Sequence, residues 1–157
     1  YGVGILSKYP IEKAEPKILK LLKRGANGES VSMLFAVILI KKKKKILFAT
    51  AHYSAFDKAT RASQVNETLT YLSENNLPVI FTGDLNATPD TEEIQLLQQR
   101  LQTTDMSGVH TFPDDVPVKK IDYILVSPEA LQRIKKVLAP LVHYSDHLPL
   151  VADFILK

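Results

Sequence analysis

Asp84 and Asn86 stand two residues apart, directly after an apolar run, Val79-Ile80-Phe81-Thr82, that stops at Gly83. If the run is a buried strand, side chains alternate with period two, so both polar groups leave its end on the same side. Gly83 allows a sharp turn, or close approach of the backbone to a ligand. Asp84 suits a hard cation or a water held by a base. Asn86 offers a neutral donor and acceptor beside an anion that a second carboxylate would repel. A strand followed by an Asx turn has the same pattern, so the weight comes from other parts of the chain. His52 ends a second apolar run, Asp122 interrupts a third at its second residue, and Asp146-His147 precede the last. The set is two imidazoles, three carboxylates and an amide, with no cysteine and no serine-centred elbow motif. Such an inventory suits metal-assisted attack of water on a phosphate. A carboxylate-bound Mg²⁺ neutralises charge and polarises the phosphoryl group. One His held by a buried Asp can act as base or as a phosphate-stabilising cation, and another can protonate the leaving oxygen. A zinc site would use neutral histidines as ligands, but no His-Glu-x-x-His or comparable spacing occurs.

The elements that must position these residues follow from periodicity. Tyr1 to Ser7 reads as a short strand containing two glycines, ended by a turn at Lys8-Tyr-Pro-Ile11. Residues 12–29 are basic and polar, with a turn signal at Gly25-Ala-Asn-Gly28. Val31 to Ile40 and Ile46 to Ala51 are two buried strands separated by Lys41 to Lys45, most simply a hairpin whose tip stands in water. Self-repelling lysines there discourage pairing with another chain; a phosphate-binding patch is the alternative. Residues 58–75 predict an amphipathic helix with Ala62, Val65, Leu69 and Leu72 on one side. Arg61 and Gln64 on that helix read as surface or packing residues. After Asn86, Asp90-x-x-Glu93 predicts a capping box, followed by a helix with Ile94, Leu96, Leu97 and Leu101 on its apolar side. Residues 102–120 read as loop and Ile121 to Ser127 as a strand. Pro128 to Leu138 predicts a short helix, or a helical turn leading into a strand, and a last strand ends the chain. His110 and His143 are read as loop residues. Several antiparallel strands with two intervening helices predict an α/β sandwich.

Composition narrows the class. With 157 residues, 45% hydrophobic and 24% charged, the chain is of one-domain size and globular composition. Residues 1–45 carry 11 Lys or Arg against 3 Glu, a local balance of +8, whereas the remainder carries 9 basic and 14 acidic residues, a balance of −5. That asymmetry is compatible with an anionic partner such as nucleic acid or lipid phosphate, although five of the cations form one solvated tract. Lack of cysteine excludes disulfides and thiolate metal sites and fits the cytosol, the periplasm or the exterior equally. No apolar run approaches the roughly 18 residues of a membrane span, so a soluble protein is expected, its compartment and oligomeric state open.

Taken in chain order, Gly2-Val-Gly-Ile-Leu-Ser-Lys-Tyr-Pro-Ile11, Thr50-Ala-His52, Gly83-Asp84-Leu-Asn86, Thr111-Phe-Pro113, Ile121-Asp122-Tyr123 and Ser145-Asp146-His147-Leu-Pro149 resemble the endonuclease/exonuclease/phosphatase (deoxyribonuclease I-like) superfamily over nearly the whole chain. The resemblance implies a two-sheet α/β sandwich of mostly antiparallel strands flanked by helices, and a Mg²⁺-dependent (or Mn²⁺-dependent) phosphoesterase. Its substrate would be a nucleic acid, a phospholipid or an inositol phosphate. It implies that Asp84 orients or activates the attacking water and that Asn86 stabilises the pentacovalent phosphate. His147, oriented by Asp122, would be general base or phosphate contact; Asp146, with Asp84, would contact the metal; His52 would contact substrate and act as general acid. Thr-Ala-His-Tyr at residues 50–53 departs from the Thr-His-Leu of many members. The resemblance also implies earlier strands carrying an Asn and a metal-binding Glu. The expectation is therefore a single partial domain over residues 1–157, truncated at its N-terminus. A non-catalytic binding or scaffold domain that keeps the fold without a complete metal site is the alternative.

Overall fold

The computed structural model describes residues 2–22, 32–41, 44–104 and 108–157. Strands β1 (Ile11–Ile18), β2 (Ser32–Lys41), β3 (Lys44–His52), β4 (Val79–Asp84), β5 (Gln102–Thr103) and β6 (Asp122–Val126) form one sheet in the order β1-β2-β3-β4-β6-β5. Strands β7 (Leu131–Leu138) and β8 (Val151–Leu156) form a second, antiparallel sheet. Helices α1 (Lys58–Ser73) and α2 (Glu92–Gln98) complete the fold.

The period-two pattern of the central strands sorts their side chains onto two faces. On one face Met33 and Phe35 of β2, Leu47, Ala49 and Ala51 of β3, Phe81 of β4 and Leu125 of β6 pack with Val65 and Leu72 of α1 and Ile94 and Leu97 of α2. On the other face Ala36, Ile38, Ile46, Ile80 and Val126 pack against Leu131, Phe154 and Leu156 of the small sheet. Layers of helices, large sheet and small sheet are the expected α/β sandwich. Each fully buried aliphatic side chain in these layers contributes about 1.5–3 kcal/mol relative to exposure. Among the described residues no helix is long and apolar enough to cross a membrane.

Strands β3 and β4 are parallel, with His52 opposite Asp84, and β4 pairs antiparallel with β6, with Asp84 opposite Asp122. A parallel pair needs a crossover, and α1 supplies it. The helix starts on Asp57, whose carboxylate accepts the Thr60 N–H at 2.8 Å, a cap worth about 1 kcal/mol.

Three local expectations are corrected. Residues 2–6 form no strand: Leu6 is fully exposed and only Ile5 packs on the second core. A strand occupies Ile11–Ile18 instead. Its exposed charges hide it in the sequence, but an edge strand needs only the free edge of β2, and Pro16, which has no N–H, is tolerated there. The capping box at Asp90 does not form: Thr91 is the N-cap residue and its hydroxyl donates back to the Thr88 carbonyl at 2.7 Å instead of capping the helix, while Glu93 is buried beside Arg61. The inward side of α1 is more polar than expected, comprising Thr60, Gln64, Val65, Thr68 and Leu72. Of the two readings for Pro128 to Leu138, the turn before a strand is the one found: residues 128–130 make the turn, with the Leu131 N–H on the Ser127 carbonyl at 3.2 Å, and 131–138 the strand. The turn at Gly25 to Gly28 lies outside the described residues, as do Lys42 and Lys43 of the tract; Lys41 and Lys44 pair as its hairpin ends.

Gly83 approaches another strand. It has φ +146°, and a Cβ there would lie 1.9 Å from the Ala51 carbonyl oxygen. Gly83→Ala is therefore expected to cost about 3 kcal/mol or more from strain and overlap together. Gly4→Ala, where a Cβ meets nothing within 4 Å, should change stability by less than about 0.5 kcal/mol. Urea unfolding of the two variants checks both.

Candidate active site

The strand register assembles most of the site. His52, Asp84 and Asp122 occupy adjacent positions across β3, β4 and β6. His147 arrives from the segment before β8: its Nδ1 donates to Asp122 Oδ2 at 2.8 Å. A carboxylate only accepts, so that contact places a proton on Nδ1 and leaves Nε2 facing the site. His147 Nε2 lies 3.8 Å from Asp84 Oδ2, and His52 Nε2 lies 3.5 Å from the same oxygen. Two imidazoles thus flank one carboxylate oxygen. The other oxygen, Oδ1, accepts the Asn86 N–H at 2.9 Å, closing the Asx turn. Asn86 sits in the left-handed region at φ 48°, a conformation Asn tolerates better than most residues. Its Nδ2 donates to the Tyr53 carbonyl at 2.9 Å, which settles the orientation of the carboxamide.

Asp146 lies outside the candidate metal-holding group. Its carboxylate is exposed and accepts from Ser145 Oγ at 3.2 Å, while its backbone carbonyl takes the Asp114 N–H at 3.0 Å. It acts on His147 through charge. The candidate metal-holding group among the described residues is Asp84, Asp122 and His147, whose ligand atoms lie within 4.8 Å of one another. Asp122 Oδ2 also accepts the Thr111 hydroxyl at 2.5 Å, so that oxygen holds two partners already.

Thr111 and Phe112 belong to the site although neither was singled out beyond the Thr-Phe-Pro motif. Thr111 is fully buried under Asp122, and Phe112 lies against the His147 ring at 4.7 Å between centroids. The Leu148 N–H donates to the Thr111 carbonyl at 2.7 Å, tying the two loops together. Their signal in the sequence was position alone: a small polar residue before an aromatic and a proline. His110 and His143 lie in loops as expected, His143 bonded to Asp114 at 2.8 Å. A cleft of about 760 Å³ leads from Asp84, Asp122 and His147 between the two sheets, with apolar walls that include Phe48, Ile80, Ile124 and Phe154.

Electrostatics follow from this packing. Burial pushes the Asp84 carboxyl above its ordinary value, and the nearby charge of Asp122 adds to the rise, against the Asn86 N–H and the two imidazoles. Burial by itself would lower the pKa of His147, but the hydrogen bond and charge of Asp122, with Asp84 and Asp146, outweigh it and raise the pKa above the ordinary 6.5. A raised folded-state value means that the pair's contribution to stability is complete below the unfolded pKa and is lost as pH rises through the folded one. Asp122→Asn should bring the NMR titration midpoint of His147 in the metal-free protein down and flatten that slope of stability with pH. An unchanged midpoint would remove Asp122 as the cause.

The comparisons with known proteins bear on the fold and the family. No curated protein sequence matches the chain. A functionally unknown conserved protein from Enterococcus faecalis V583 superposes with a TM-score of 0.81 at 19% identity, over 96% of this chain and 68% of that one. A mannosyl-6-phosphatase from Bacteroides thetaiotaomicron VPI-5482 gives 0.78 at 18%, over 94% and 67%. The human Nocturnin catalytic domain with bound sulfate gives 0.75 at 21%, over 95% and 60%. The chain therefore spans about two thirds of the length of the structures it matches. The model of the Endonuclease/Exonuclease/phosphatase family matches residues 1–147, and the chain belongs to that family.

Proposed function

We propose that this chain belongs to a metal-dependent phosphoesterase that cleaves a phosphate ester by in-line attack of water. The observation that carries the reading is the convergence of two imidazoles on Asp84 Oδ2, at 3.5 and 3.8 Å, with Asp122 behind one of them. Such a cluster, partly buried at the end of a cleft, is costly to fold and fits acid–base work on an anion.

The donor set fits a hard divalent cation. Asp84 and Asp122 offer carboxylate oxygens close together, and Mg²⁺ is commonly held by one or two carboxylates, with waters and substrate oxygens completing its shell. Asp84 would hold Mg²⁺ or Mn²⁺, and exposed Asp146 lies on the adjoining loop as a further carboxylate. The cation, when bound, offsets phosphate charge.

The residues then divide the work. Asp84 orients the attacking water and accepts its proton. Asn86 Nδ2 keeps one hydrogen on the Tyr53 carbonyl and turns the other toward a phosphate oxygen, where a carboxylate would repel it. His147, whose raised pKa favours the imidazolium, donates from Nε2 to a phosphate oxygen as charge builds in the transition state. His52 gives a proton to the leaving oxygen. The substrate class is a phosphate ester of nucleic acid, phospholipid, inositol or sugar. The mannosyl-6-phosphatase among the similar structures is the reason to include the last.

The intact protein should turn over at least one of plasmid DNA, abasic DNA, sphingomyelin, inositol phosphates and hexose 6-phosphates with Mg²⁺, and lose that turnover in EDTA. Asp84→Ala and His147→Ala should each lower kcat by about a hundredfold or more with little change in folding. Near-normal turnover in either variant sinks the assignment, and no turnover of any ester by the intact protein favours the scaffold reading.

A further inference from the structure

The inward face of α1 carries three polar side chains one turn apart. Thr60, Gln64 and Thr68 are all fully buried. A helix packed on a sheet core ordinarily presents an apolar stripe, so this polar stripe calls for partners, and the segment following His52 supplies them. Thr68 Oγ1 meets the Tyr53 hydroxyl at 2.6 Å. Gln64 Oε1 accepts the Ser54 N–H at 3.0 Å. One turn earlier, Thr60 bonds the cap residue Asp57. Arg61, beside the stripe, donates through Nη1 to the Ser54 carbonyl at 3.1 Å, and its Nε is 3.5 Å from buried Glu93 of α2.

The contact of Gln64 differs from the others in what it reaches. The Ser54 N–H and the Tyr53 C=O are the two ends of a single peptide plane. Gln64 holds the N–H end, and Asn86 Nδ2 donates to the C=O end at 2.9 Å. Because the peptide is planar and rigid, turning one end turns the other. The Tyr53 N–H is held as well, by the Asp84 carbonyl at 3.0 Å. Gln64 Nε2 meanwhile is buried with no hydrogen-bond partner among the described residues. An apolar residue would avoid that cost, so the acceptor Oε1 is what the position requires.

We infer that Gln64 is a positioning residue for the site: through the Tyr53–Ser54 peptide it sets the direction in which the Asn86 carboxamide faces the phosphate. The inference rests on the phosphoesterase reading for its catalytic consequence, but the orientation of Asn86 can be measured without turnover. Ion-paired Arg61 and Glu93 act in the same sense by holding the next carbonyl.

The test uses the intact protein, with Gln64→Met, which keeps length and removes the strong acceptor, in wild-type and Asn86→Ala backgrounds. In the wild-type background kcat on the best ester should fall by about tenfold, within the range that small misplacements cost, with KM changed by less than about twofold. In the Asn86→Ala background the same substitution should change kcat by less than about twofold, because the residue it acts through is gone. Asn86 side-chain NH₂ signals should shift in Gln64→Met, with backbone shifts confined to Asn86 and residues 53–55. Equal losses in both backgrounds, or unmoved Asn86 signals, overturn the inference. If Gln64→Met does not fold, Gln64→Asn, too short to reach the Ser54 N–H, takes its place with the same expectations. Should no ester be turned over, the phosphoesterase reading fails alone and the Asn86 signals still decide the positioning role.

Discussion

Ala51 O and Gly83 lie closer together than any side chain would permit, and the rest of the site depends on that approach. A Cβ at residue 83 would lie 1.9 Å from the carbonyl oxygen, so only glycine lets β4 run beside β3 to its very end. That contact keeps the parallel register intact as far as His52 and Asp84. Antiparallel pairing with β6 then places Asp122 on the far side of Asp84. Three strands remote in sequence thus deliver three ionisable residues to one row. A one-residue slip in any of them would turn its polar side chain to the opposite face.

The row brings like charges together, which has an electrostatic cost. Burial raises the proton affinity of Asp84, and the charge of Asp122 adds to the rise. The arrangement is sustained by donors: the Asn86 N–H on Asp84, and the Thr111 hydroxyl and His147 Nδ1 on Asp122. His147 is in turn held against Phe112. The proposed divalent cation, if held by these carboxylates, would offset the same repulsion.

Behind the row lies a second layer of polar contacts, joined to it through the backbone of Tyr53. Tyr53 bonds both Asp84 and Asn86 through its backbone, and α1 holds Ser54 at both its N–H and its C=O. Buried polar groups of this kind specify one arrangement when they are well partnered. They explain why α1 is less apolar inward than its sequence periodicity suggests: part of its buried surface serves the geometry of the loop after β3.

What could be read from the sequence was whatever depends on neighbouring residues. The central strands and α1 announce themselves by alternation and helical spacing, and Asp84 and Asn86 by their place after an apolar run. The motifs His52, Asp122 and Asp146-His147 could be picked out because each interrupts or borders such a run. The β1 strand was not legible, since its charged residues carry no alternation and its existence depends on the free edge of β2. Nor was the make-up of the candidate metal-holding group, which takes Asp84, Asp122 and His147 and leaves out Asp146. The burial of Gln64 and Glu93 was equally hidden, because a polar residue on a helix reads as exposed until a partner is found for it. By itself, then, the sequence determined which residue types were available and which strand ends they occupied. Only the tertiary structure decided which of them meet, because strand register and the peptide plane between Gln64 and Asn86 are set by contacts among segments far apart in the chain.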